Sequence, residues 1–128
     1  MERSHLEQAK LWLEAARYIL GSGSEAKEKH VVSVAMSIHA IIKANDSLTF
    51  KHLATTAMRH DEARKLFQEL IRKNLIKSEY APYNQIIQDA INNKARAEYR
   101  IASFSKKEAD DMLGKAEKFI KMAEKSLG

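Results

Sequence analysis

The chain has 128 residues, 45% of them apolar and 30% charged, enough for one domain spanning residues 1–128 that buries roughly two thirds of its extended surface. Four Gly and one Pro fall below the usual shares of about 7% and 5%, which argues against a turn-rich barrel or sandwich and favours an all-α fold. The absence of cysteine excludes a disulfide framework, a thiolate metal site and a nucleophilic thiol, and with a formal charge of +5 it suits a soluble cytoplasmic protein able to attract phosphate-bearing partners.

Glu7, Gln8 and Lys10 interrupt the first apolar residues, so no export signal is expected. Leu6, Ala9, Leu13, Ala16 and Leu20 recur at spacings of three and four and predict a first helix near residues 4–20, ended by Gly21-Ser22-Gly23. Ser24 is placed to cap the next helix, where Val31, Val34, Ala35, Ile38, Ile41 and Ile42 form a stripe broad enough for several neighbours, the mark of a central helix. This stretch is far shorter than the roughly 20 apolar residues that cross a bilayer, so no membrane contact is expected. Asn45-Asp46-Ser47 reads as a turn.

Beyond it, Phe50, Leu53, Ala57 and Met58 suggest a short helical piece, and Ala63, Leu66, Phe67, Leu70 and Ile71 a clearer one, with a break near His60 and Asp61 as cap. Lys77 to Ala81 reads as a loop and Pro82 as the first turn of the following helix, which carries Ile86, Ile87, Ala90, Ile91 and Lys94 and ends near Tyr99 or Arg100. Ser105-Lys106-Lys107-Glu108 has the capping-box form, in which the Ser oxygen and the Glu carboxylate each accept from a backbone N–H at the helix start. Ala109, Met112, Leu113, Ala116, Phe119, Ile120, Ala123 and Leu127 then sustain the helical period. Together these elements predict an antiparallel up-and-down bundle of four main helices plus a short extra helix.

The chemistry is sparse. Histidines stand at 5, 30, 39, 52 and 60 with no His-x-x-x-His pair, so neither a metal nor another cofactor is expected. His39, flanked by Ala35 and Ile42, reads as a hydrogen-bonded core residue, and His52 and His60 as helix caps or phosphate contacts. Glycine-rich phosphate loops and the Gly-x-Ser-x-Gly elbow are missing. Charge is uneven: segments 59–78 and 94–107 are net cationic and bracket the net-negative segment 79–93. The candidate site is therefore the polar, basic helix end with Asn93, Lys94, Arg96, Tyr99 and Arg100. Arg96 or Arg100 offers a planar fork of donors to phosphate, Asn93 a hydrogen bond to sugar or base, and Tyr99 a ring to stack or a hydroxyl to donate.

The stretch Lys94-Ala-Arg-Ala-Glu-Tyr99, the spacer Arg100–Ser105 and the helix Lys106–Ile120 resemble the HEPN superfamily, the "higher eukaryotes and prokaryotes nucleotide-binding" domains. The opening helix around Ala9–Ala16 and Ser37-Ile-His39-Ala-Ile-Ile42 are similar to that family's first two helices. The resemblance implies an up-and-down bundle that dimerises through its basic helices and is often encoded beside a nucleotidyltransferase-like partner in toxin–antitoxin systems. Many relatives are metal-independent ribonucleases using an Arg-x4–6-His pair. Here Lys94 stands at the Arg position and Tyr99 at the His position; a Tyr hydroxyl with a pKa near 10 is a poor base at neutral pH, and Lys lacks the fork. The expectation is a homodimeric module that binds a nucleotide, an RNA or a nucleotidyltransferase-like protein without catalysis. The alternatives are a divergent endoribonuclease using His39, His52 or His60, and a purely structural oligomerising bundle.

Overall fold

The computed structural model describes residues 2–23, 28–99 and 103–128, apart from the side chains of residues 98 and 99. Among these residues the regular elements are all helical: α1 (Glu2–Gly21), α2 (Glu28–Leu53), α3 (His60–Arg72), a 3-10 segment (Ser78–Tyr83), α4 (Asn84–Tyr99) and α5 (Lys106–Leu127). α1 buries Leu6, Ala9, Leu13, Ala16 and Leu20, the stripe that its sequence spacing predicts. It closes where the Ser22 hydroxyl and amide both donate to the Ile19 carbonyl. Ser24, expected to cap α2, lies outside the described residues.

Side-chain contacts fix the helix directions. Trp12 stacks on His39 and His5 lies against Phe50, so α1 and α2 run antiparallel. Lys10 pairs with Glu124 and Arg17 with Glu117, so α1 and α5 are also antiparallel. His30 meets the Phe104 carbonyl at one end and Lys51 the Leu127 carbonyl at the other, which makes α2 and α5 parallel. Asp89 with Lys115, and Arg96 with Glu108, set α4 antiparallel to α5. α2 is the central helix, touching α1, α3, α4 and α5. Phe67 and Phe119 are fully buried with ring centres 5.9 Å apart and join α3 to α5, each contributing about 1.5–3 kcal/mol by burial.

Four local expectations are corrected. Asn45-Asp46-Ser47 is no turn; α2 runs straight through it to Leu53 with all three residues buried. Their turn preference is overridden by packing in the central helix, where Asn45 donates to the Ala63 carbonyl of α3 and Ser47 donates back to the Ala44 carbonyl of its own helix. Phe50 and Leu53 accordingly belong to α2 rather than to a separate short piece. Asp61 does not cap α3, whose N-cap is Arg59 without a side-chain bond. Instead Glu62 accepts from the Met58 amide, and Asp61 sits within the first turn, where its charge complements the helix dipole. Pro82 lies in the 3-10 segment, which begins at Ser78 inside the expected loop; the fixed φ of proline suits that tighter turn, and α4 starts only at Asn84.

Candidate functional site

Because α2 and α5 are parallel and α4 opposes them, the starts of α2 and α5 and the finish of α4 gather at one end of the molecule. Phe104 joins them. It is buried, its carbonyl lies 3.1 Å from Nδ1 of His30, and its ring centre lies 4.1 Å from the guanidinium carbon of Arg96. A carbonyl can only accept, so in this contact Nδ1 of His30 is the donor.

Arg96 is anchored on three sides. Its two terminal nitrogens donate to the two carboxylate oxygens of Glu108, and Nη2 also donates to the Ser103 carbonyl at 2.7 Å. Glu108 is simultaneously the carboxylate of the capping box: it accepts from the Ser105 amide while its own amide donates to Ser105 Oγ, both at 3.1 Å. The Arg96 hydrogen bonds, helped by the Ser105 amide, hold the Glu108 carboxyl down at about 2, and the same pair pushes Arg96 above its ordinary value. The capping box was legible in the sequence. Its coupling to Arg96 twelve residues earlier was not, because no local pattern marks a contact between two helices.

The sequence-predicted residues divide over different sides of α4. Asn93 and Arg96 share the flank that faces α5; Asn93 donates to the Asp89 carbonyl at 2.9 Å, and Asp89 itself pairs with Lys115 at 2.9 Å. Lys94 lies on the stripe that buries Ile87 and Ala90 and is half-buried there. The Tyr99 side chain and Arg100 lie outside the described residues. A cleft of about 170 Å³ opens beside Asn93, lined also by Phe104, Glu108, Asp111 and Lys115, with Val34 and Met112 as its apolar floor. A wider hollow of about 520 Å³ lies between residues 74–80 and Lys125 at the far end of α5, and none of the candidate residues lines it.

The histidines are dispersed. His39 is exposed rather than in the core, its ring stacked 4.8 Å from that of Trp12. This is a correction: Ala35 and Ile42 share the His39 face of α2 but are themselves only half-buried, and the core stripe of the helix runs through Val34, Ile38 and Ile41 instead. His52 neighbours Lys51, which reaches the last turn of α5, roughly 28 Å of helix from Glu108. His60 opens α3. His30, which the sequence reading left unassigned, is the histidine that meets Phe104. Among the described residues no three His, Asp or Glu side chains converge as a metal site, and no helix is long and apolar enough to cross a membrane.

Compared with known proteins, the chain matches no family model and no curated sequence.

Proposed function

We propose that the chain is a HEPN-like up-and-down bundle, a cytoplasmic homodimer, that binds the phosphates of a nucleotide or RNA where α4 finishes and α2 and α5 begin. The supporting observation is the junction on Phe104, which draws these three helix ends together. Two helix starts there contribute partial positive charge, and exposed Lys106 and Lys107 occupy the first turn of α5. Arg96 acts as a positioning residue in this reading. Its charge is balanced by Glu108, and its bonds to Ser103 and Glu108 fix the turn that presents the two lysines.

The reading is binding without cleavage. The Arg96 fork is occupied, and His39, His52 and His60 lie on other parts of the surface. One observation favours the endoribonuclease alternative: His30 and Arg96, a histidine and an arginine from different helices, both contact Phe104, one at its carbonyl and the other at its ring. Metal-free incubation with RNA separates the two. Intact RNA supports the binding module; cleavage abolished by His30→Ala would establish the enzyme.

The binding claim is tested by fluorescence anisotropy with a short labelled RNA and a labelled ATP analogue over a salt series. Lys106→Gln with Lys107→Gln is expected to weaken binding about fivefold or more and to lower the salt slope by about 1–2. Absence of binding by either probe at low salt would remove the proposal.

A further inference from the structure

α4 has a second polar flank, facing α3, that the phosphate reading of its end does not use. There Arg64 of α3 donates from Nη1 to the Gln88 side-chain oxygen at 2.9 Å, and Gln88 donates in turn to the Asn92 side-chain oxygen at 2.9 Å. These bonds border a groove of about 300 Å³ lined by Asp61, Arg64, Lys65 and Gln68 from α3 and by Gln88 and Ile91 from α4. The contrast with Arg96 is electrostatic. Arg96 faces a carboxylate, whereas the partner of Arg64 is a neutral amide, which orients the guanidinium without cancelling its charge. Among the described residues Arg64 spends one of its five N–H donors, on Gln88, and Lys65 is exposed on the next residue of the same helix. Asp61 is the acid of the lining, and Arg59 approaches it at 3.9 Å.

We propose that this α3–α4 groove is a second, separate phosphate-binding site, in which Arg64 and Lys65 hold a phosphate group and the attached sugar or base lies against Ile91 and the amide of Gln68. The volume is at the lower end of small-molecule sites and suits a single nucleotide unit. The chain Arg64–Gln88–Asn92 gives the site its orientation: the Asn92 oxygen accepts from Gln88 Nε2, which leaves Gln88 Oε1 turned to accept from Arg64. Gln88 and Asn92 are one turn apart on α4, and none of the residues lining the groove takes part in the contacts of His30, Arg96 and Glu108 around Phe104.

The ligand can be a free nucleotide or one unit of a polynucleotide, and the test separates them. Binding of ATP and of a short labelled RNA is measured for the unaltered chain, for Arg64→Gln with Lys65→Gln, and for Lys106→Gln with Lys107→Gln, with circular dichroism melting as the folding control. The Arg64/Lys65 variant is expected to lose about fivefold or more in binding at an unchanged melting temperature. Loss for ATP and RNA alike identifies a free-nucleotide site, and loss for RNA alone a polynucleotide site. Gln88→Leu, which keeps both cations but removes the orienting acceptor, is expected to weaken binding in the same direction. Unchanged binding of both probes by the Arg64/Lys65 variant overturns the groove site, even if the Lys106/Lys107 variant is impaired and the end-of-bundle reading stands. The reverse pattern, loss only with Arg64 and Lys65 altered, upholds the groove and removes the other site.

Discussion

Arg96 and His30 meet on a single residue: the guanidinium carbon of one lies 4.1 Å from the ring centre of Phe104, and Nδ1 of the other lies 3.1 Å from its carbonyl oxygen. Residues from α4 and α2 thus hold the segment that leads into α5, and Glu108 closes the arrangement by capping α5 and pairing with Arg96 at once. Loss of any one contact is transmitted to the start of α5.

Replacing Arg96 with Ala removes the ion pair, the Ser103 bond and the ring contact together. Because the side chains of the pair are 38% and 41% exposed, solvent screening limits the cost to about 1–2 kcal/mol in urea unfolding. Arg96→Lys is expected to recover only part of this, since an ammonium cannot serve both carboxylate oxygens and the Ser103 carbonyl in one plane. Full recovery by lysine would show that charge alone matters.

Glu108 sets an acid limit on this end of the fold. Its folded pKa is depressed to about 2 from an ordinary 4.5, so its contribution is fully present above about 4.5 and disappears as pH falls through about 2. Carboxyl chemical shifts followed by NMR should show Glu108 titrating well below exposed glutamates. In Glu108→Gln the α4–α5 junction should lose this pH dependence between those values.

Asp46 has the opposite sign. It is 7% exposed, and burial pushes its carboxyl up to about 6, partly countered by the charge of Lys43 and the Ala57 backbone amide. The folded state therefore holds this proton more tightly than the unfolded chain, and stability from the group is present below about 3.8 and lost as pH rises through about 6. Asp46→Asn is expected to be more stable than the unaltered chain at neutral pH by about 1–3 kcal/mol, with the advantage vanishing towards pH 4. Equal melting temperatures at neutral pH would place the carboxylate in a better-solvated setting than its burial indicates.

Phe119→Ala should cost about 3–5 kcal/mol, because the fully buried ring contacts Phe67 and links α5 to α3. A loss under about 1 kcal/mol in urea denaturation would mean that α3 docks on α5 by other contacts.

The helical stripes were legible because Leu6 to Leu20 and Ala109 to Ala123 repeat at the helical period and meet core on one side only. Ser105 and Glu108 announced a helix start because both partners of the box lie within four residues. Asn45, Asp46 and Ser47 misled because a turn preference is local, whereas the Ala63 carbonyl that satisfies Asn45 comes from another helix. The candidate site shows the same limit. Arg96 reads as a free fork in the sequence, yet Glu108 and Ser103 occupy it; Arg64 reads as one charge among many, yet Gln88 holds it beside a groove. Such pairings depend on which helices adjoin, which spacing along one helix does not encode.

The most direct test of phosphate binding at the Phe104 junction is an amide-resolved NMR titration of the whole chain with a short single-stranded RNA and, separately, ATP at low salt. The account predicts saturable shifts at the amides of Lys106, Lys107 and Glu108 and at His30, reversed by added salt. Titration to excess that leaves these amides unmoved would contradict it.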